Sequence, residues 1–333
     1  EHLKVAKEKS VNIVVATSGD TGSAAIAALN NRENINLFVL HPHNKISSTQ
    51  RKIMTTIGGS NIYNIAVKGS FDDCQKIVKE LFNDDNFRLK INMSGVNSIN
   101  WSRIVCQIVY YFYSYFRLKK NNISFSVPTG NFGDIYAGYI AKKMGLPINK
   151  LIVATNENDI LERVISTGEY KPEKVKPSIS PSMDIQVASN FERLLFYIVG
   201  EDDKKVSLLM DNLTKKGFFK LDQNEIQEIK KDFEAVKIDD ETTRLIIKNI
   251  NDEFKFIIDP HTATGIGAAR KVKGIENIVV IGTAHPFKFS DTVQSATGIN
   301  LEAPPHLKMN IDKKEKFDII KNSNSEAKDY ILS

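Results

Sequence analysis

The chain has 333 residues, 41% hydrophobic and 26% charged, the balance of an ordinary globular protein, which excludes a disordered or collagen-like one. Its net charge of +5, from 45 Lys and Arg against 40 Asp and Glu, is spread without a basic stripe carrying aromatics, and no apolar run nears the roughly 18 residues that span a bilayer, so neither a nucleic-acid nor a membrane partner is expected. Cys74 and Cys106 stand far apart without His or Cys at ligand spacing, so both read as buried thiols of a cytoplasmic protein, with no disulfide framework and no metal.

Glu1–Ser10 reads as a charged, helix-like stretch without the apolar core of a signal peptide. The first methionine is Met54, inside the first folding unit, so the sequence is expected to begin partway through a longer chain. Apolar, β-branched runs follow at Ile13–Val15, Leu37–Leu40, Ile62–Val67, Phe125–Val127, Leu151–Ala154, Phe254–Ile258 and Ile278–Ile281. Between them, Gly22–Asn30, Phe71–Phe82, Trp101–Leu118 and Ile135–Met144 carry helical patterning. This alternation predicts an α/β fold, mostly parallel sheets with helices on both faces. The segment of about 200–252, with charged pairs between Leu, Ile and Phe at helical spacing, reads as a helical insert with solvated charged faces. The polar tail from Leu301, with Ala303-Pro304-Pro305, is expected to pack loosely. The expected division is a first domain over 1–120 and a second over 121–333 that includes the insert.

Two segments, Val14-Val15-Ala16-Thr17-Ser18-Gly19-Asp20-Thr21-Gly22-Ser23 and Val127-Pro128-Thr129-Gly130-Asn131-Phe132-Gly133-Asp134, share an apolar run, a polar glycine-rich turn and a helix-like continuation. Glycine lets the backbone approach a ligand closely, and the N–H groups at the start of the following helix favour an anion. In parallel sheets such turns lie at the carboxyl ends of strands, where ligands bind. Neither turn fits a dinucleotide fingerprint or a Walker loop, which leaves a compact phosphate ester or amino acid as the expected ligand. In the alternative reading the glycines serve only the turns.

In chain order with these stand Val96-Asn97-Ser98-Ile99-Asn100-Trp101-Ser102-Arg103, Ala154-Thr155-Asn156-Glu157-Asn158-Asp159, Ser189-Asn190-Phe191-Glu192-Arg193-Leu194, Asp259-Pro260-His261-Thr262-Ala263 and Thr283-Ala284-His285-Pro286. The ordered set, covering nearly the whole chain, resembles threonine synthase. That resemblance implies a fold type II, tryptophan synthase β-like enzyme with pyridoxal 5'-phosphate as cofactor, a lyase converting O-phospho-L-homoserine and water to L-threonine and phosphate. It implies that Gly130, Asn131, Phe132, Gly133 and Asp134 cradle the cofactor phosphate. Thr283 is implied to face the pyridine nitrogen, where a neutral hydroxyl cannot hold that nitrogen protonated. Asp20 is implied to face the ring hydroxyl, and Thr17, Ser18 and Thr21 the substrate carboxylate. Asn97, Ser98 and Arg103 are implied to hold the substrate phosphate, whose charge grows as the Cγ–O bond breaks. Read without the resemblance, Arg103 is a surface arginine on a helix.

His261 and His285 each stand beside a proline and read as structural groups bonding backbone. Asn190, Glu192 and Arg193 read as fixing a helix start near the site, with a substrate contact as the alternative, and the aromatic run Tyr110–Tyr113 as core packing. In the family a Schiff-base lysine stands in a Phe-Lys-Asp context ahead of the first turn. Here only Lys4, Lys7 and Lys9 precede Thr17, and Lys288 belongs to a different motif. The lysine is therefore expected upstream of Glu1, no catalytic residue is assigned within the chain, and the chain as given is expected to be inactive. Two alternatives stay open: a threonine synthase-like phospholyase, and a non-catalytic homologue that binds a phosphate ester. The expected partner is the small-molecule substrate, with a monomer favoured over an oligomer.

Overall fold

A computed structural model of the protein describes residues 10–17, 19–97 and 99–333. Lys4, Lys7 and Lys9, and the site candidates Ser18 and Ser98, lie outside the described residues. The strands are β1 (Val11–Ala16), β2 (Ile35–Pro42), β3 (Ile62–Lys68), β4 (Met93–Gly95), β5 (Ile123–Pro128), β6 (Ile148–Thr155), β7 (Glu169–Tyr170), β8 (Phe219–Lys220), β9 (Phe233–Lys237), β10 (Ile278–Val280) and β11 (Asp318–Lys321). The helices that bear on the site are α1 (Asp20–Leu29), α2 (Trp101–Leu118), α3 (Gly133–Lys143), α4 (Phe191–Ile198) and α5 (Pro260–Lys271).

The chain forms two compact units, Glu1–Asn97 with Glu302–Ser333, and Ser98–Leu301. In the first, parallel strands run in the order β11-β3-β2-β1-β4. Side chains alternate across a strand, so neighbours in sequence feed opposite faces. Val15, Leu37 and Val39 pack with Ala25 and Ile26 of α1. Val14, Phe38 and Leu40 pack on the other face with Ile65, Cys74, Ile77 and Leu81. Each face needs its own helical cover, which is why these strands read as nearly continuous apolar runs.

The second unit repeats the scheme with the parallel order β10-β5-β6-β9. Phe125, Val127, Leu151 and Val153 join Tyr111 of α2 and Ile135 and Tyr139 of α3 in one core cluster. Ile152 and Ala154 face Ala268 of α5 on the opposite side. The buried hydroxyl of Ser126 is satisfied by the Gly265 carbonyl at 2.7 Å, so α5 sits tightly on β5.

Several expectations are corrected. The division does not fall near residue 120, because Ile104, Ile108 and Tyr111 of α2 are part of the core around Phe125, and β11 returns the tail to β3. The tail is not loosely packed: Arg51 grips Glu315 through Nε at 2.8 Å and Nη2 at 3.1 Å, and Ala327 and Ile331 are buried beyond it. The 200–252 segment is not an all-helical insert, since Phe233 is fully buried and Phe233–Lys237 pairs along the edge of β6. Phe254–Ile258 forms no strand; Phe254 ends a helix, and both it and Phe256 are exposed. Cys74 is buried, which pushes its thiol up to about 12, but Cys106 is exposed. Among the described residues no helix is long and apolar enough to cross a membrane.

Candidate active site

In the first unit β1 delivers the chain into the turn before α1. Gly19 has φ +135°, a conformation that L side chains rarely adopt, and an added Cβ there would stand 2.8 Å from the Gln50 side chain. Thr17, expected at the substrate carboxylate, is buried instead. Its hydroxyl accepts from the N–H groups of Gly19 and Gly22, both at 2.9 Å, so it shapes the turn. Asp20 and Thr21 open α1 half-buried, with no side-chain cap from Gly19 over the helix start. Asn97 is exposed at the end of this unit's first segment.

In the second unit three loops leave the carboxyl edge of one sheet. Because β10 and β5 are paired in parallel, Thr283 and Gly130–Asp134 follow neighbouring strands out of the same edge, and Asn156 does so from β6. Thr283 is exposed there. Phe132, with φ 66°, bends the chain into α3 without a side-chain cap. Gly133 N–H is taken by Asn131 Oδ1 at 2.8 Å and Tyr136 N–H by the Phe132 carbonyl at 3.2 Å, which leaves Asp134 and Ile135 to aim their amide groups out of the first turn. A Cβ on Gly130 would stand 2.7 Å from the Ser182 carbonyl oxygen and 3.1 Å from Met183 Cα. The turn therefore packs on backbone at Gly130 and presents amide groups at the helix start, an arrangement able to accept an anion.

The wall over Gly130 went unassigned in the sequence. Asp184 fixes it, its Oδ1 accepting from Ser178 Oγ at 2.6 Å, Asn156 Nδ2 at 2.7 Å and Asn158 Nδ2 at 3.1 Å. The Ser178 amide donates to Asp184 Oδ2 at 2.9 Å. The available signal was the Ser- and Pro-rich run Pro177-Ser178-Ile179-Ser180-Pro181-Ser182 with Asp184 two residues beyond it, together with Asn156 and Asn158. His261 completes this wall. Nδ1 lies 3.1 Å from Asp259 Oδ1 and Nε2 accepts from the Ser182 amide at 3.2 Å, so both ring nitrogens serve structure, as expected. His285 is also structural, its Nδ1 accepting from the Phe287 amide at 3.1 Å.

Asp134 is expected in the cradle through its backbone, as part of the run of N–H groups at the start of α3. Its carboxyl is turned into the core, where Tyr111 donates its hydroxyl at 2.9 Å, and only its backbone is left for a ligand. Tyr111 is thus fully buried with a polar partner, while Tyr110 and Tyr113 of the same aromatic run are exposed. Burial lifts the Asp134 carboxyl from 3.8 to about 6, against the pull of the Tyr111 hydrogen bond. Because the folded state holds this proton more tightly than the unfolded chain, the contribution to stability is full below 3.8 and is lost as pH rises through about 6. The loss is on the order of 3 kcal/mol. Asp134→Asn cannot ionise, so in cofactor-free protein its melting temperature should rise relative to the wild type between about pH 5 and about pH 7.5. A gap that does not change with pH would contradict the buried carboxyl.

Arg103 is the second anion-seeking group of this unit. It sits in the first turn of α2, behind the Asn100 cap, whose side chain accepts from Ser102 N–H at 2.9 Å. The guanidinium is half-buried and Nη1 is buried without a hydrogen-bond partner among the described residues. Burial pulls its pKa down, yet an arginine stays charged at any physiological pH. A buried guanidinium N–H without a partner costs stability until an acceptor reaches it.

Known proteins show the same organisation. The family described as pyridoxal-phosphate dependent enzyme matches residues 1–212, and the C-terminal part of threonine synthase matches residues 262–331. Threonine synthase of Pseudomonas aeruginosa is 44% identical over 99% of this chain and 72% of its own length. That of Saccharomyces cerevisiae is 43% identical over 89% of this chain and 62% of its own length. The crystal structure of threonine synthase from Brucella melitensis with bound pyridoxal phosphate superposes with a TM-score of 0.92 at 43% identity, over 99% of this chain and 72% of that one. Maize serine racemase, with a TM-score of 0.58 at 14% identity, shares the fold alone. With its two parallel sheets and these matches along its length, the chain belongs to the threonine synthase family of pyridoxal-phosphate-dependent enzymes.

Proposed function

We propose that the intact protein converts O-phospho-L-homoserine and water to L-threonine and phosphate, with the substrate phosphate on Arg103. The observation that carries this is Nη1 of Arg103, buried and without a hydrogen-bond partner among the described residues. When bound, pyridoxal phosphate supplies an electron sink for the carbanion formed from the amino acid. The Gly130–Asp134 loop suits its phosphate: amide groups stand at the start of α3, and at Gly130 the chain packs so closely on Ser182 and Met183 that a Cβ would not fit. Thr283 offers the ring nitrogen a neutral hydroxyl, which leaves the ring a weaker sink than a carboxylate would. Asp20 and Thr21 open α1 at the first glycine turn, to which the family resemblance assigns the ring hydroxyl and the substrate carboxylate. Arg103 binds that phosphate and stabilises the charge it gains as it leaves. The reading retains a cytoplasmic monomer acting on a small molecule, with no nucleic-acid or membrane partner.

The test is product analysis after incubation with pyridoxal phosphate and O-phospho-L-homoserine. Phosphate and L-threonine are expected in equal amounts. Phosphate without threonine would replace this reading with a phospholyase, and binding without phosphate release would make the protein a non-catalytic phosphate-ester binder.

A further inference from the structure

The two anion-seeking elements of the second unit lie on separate pieces of chain, the Gly130–Asp134 loop before α3 and Arg103 on α2. One side chain spans them. Arg193, in the first turn of α4, donates Nη2–H to the Ile99 carbonyl at 2.8 Å and Nε–H to Asn190 Oδ1 at 3.3 Å. Its guanidinium carbon lies 5.6 Å from the Trp101 ring centroid. Asn190 is fully buried and donates twice to the Asn131 carbonyl, through its backbone N–H at 3.1 Å and Nδ2 at 3.2 Å. Arg103 follows directly, since its N–H donates to the Asn100 carbonyl at 3.0 Å within the turn that Arg193 holds. The path therefore runs from Asn131 through Asn190 and Arg193 to the start of α2.

A second polar tie between these elements among the described residues, Tyr111 to Asp134, lies two turns further along α2. At 1.5 Å per residue that is about 12 Å from Arg103. It anchors the body of the helix; in the first turn Ile104 is buried in the core, and Arg193 supplies the polar hold on the segment just ahead of Arg103. Only a planar guanidinium can make two divergent hydrogen bonds and cover an aromatic face at once.

We propose that Arg193 is a positioning residue for this reaction: it clamps the start of α2 to the phosphate cradle and so sets where Arg103 meets the phosphate of the substrate. The inference rests on the reading of Arg103 given above. A displacement near 1 Å at a reacting group costs up to about 100-fold, so holding this turn bears on binding more than on folding.

A double-mutant cycle on the cofactor-loaded, intact protein tests it, with Arg193→Gln, Arg103→Ala and both together. Arg193→Gln should raise KM for O-phospho-L-homoserine about tenfold, with the dissociation constant for pyridoxal phosphate changed less than about twofold. Arg193→Lys should behave as Arg193→Gln does. In the Arg103→Ala background, Arg193→Gln should change KM little, because the group it positions is gone. Equal losses in both backgrounds would overturn the proposal and make Arg193 a general stabiliser. If Arg103→Ala raises KM while Arg193→Gln does not, the positioning role alone fails. If Arg103→Ala leaves KM unchanged, the reading of Arg103 fails and the proposal with it.

Discussion

Replacing Arg103 by alanine is expected to lower kcat/KM for O-phospho-L-homoserine by about 100-fold or more, the scale of one charge-assisted contact at a reacting phosphate. KM should rise because the guanidinium holds the phosphate in the ground state, and kcat should fall because the phosphate gains charge as it departs. Arg103→Lys keeps the charge and loses the planar fork, so its loss should be intermediate. Stability should move the other way. Nη1 is buried without a partner among the described residues, so removing it from the substrate-free protein relieves an uncompensated group and should leave the melting temperature unchanged or slightly higher. Steady-state kinetics and thermal melts of the two variants decide the matter, and an unchanged kcat/KM would take Arg103 out of the site.

Gly130→Ala is expected to weaken pyridoxal phosphate binding by about 10- to 100-fold, equivalent to the roughly 1–3 kcal/mol that overpacking a tight site costs. The new Cβ would stand 2.7 Å from the Ser182 carbonyl oxygen and 3.1 Å from Met183 Cα, and neither is the end of a flexible side chain. The Ser182 segment cannot retreat cheaply, because Asp184 is held by donors from Ser178, Asn156 and Asn158, and the Ser182 amide by His261. The turn itself must move, and the amide groups it aims at the phosphate move with it. Gly58→Ala is the matched control, since a Cβ there meets nothing within 4 Å. Titration with the cofactor, followed by its absorbance, separates the two, and equal affinity for Gly130→Ala and the wild type would remove this turn from the cofactor site.

The strands legible in the sequence are those buried on both faces, such as β1, β2 and β6, whose apolar runs leave no other reading. The strands that escaped were short or polar. Asp318-Ile319-Ile320-Lys321 becomes a strand only because β3 offers it an edge, and Phe233-Glu234-Ala235-Val236-Lys237 because β6 does. Edge pairing is a long-range event, and a window of five residues does not record it.

The site divides along the same line. The two glycine turns and the family motifs were visible in the sequence, because a tight turn at a strand end restricts which residues can stand there. Which of those residues face a ligand was not. Thr17 and Asp134 carry ligand-like side chains, but folding spends the first on its own turn and the second on Tyr111. Asp184, which bears no mark in the sequence beyond a Ser- and Pro-rich run, stiffens the wall of the cradle. Chain-local chemistry, the glycine turns and the apolar periodicity, was thus determined by the sequence alone. The direction of each polar side chain was decided by the tertiary structure, because a buried donor or acceptor takes whichever partner packing brings within about 3 Å, and that partner is often far along the chain.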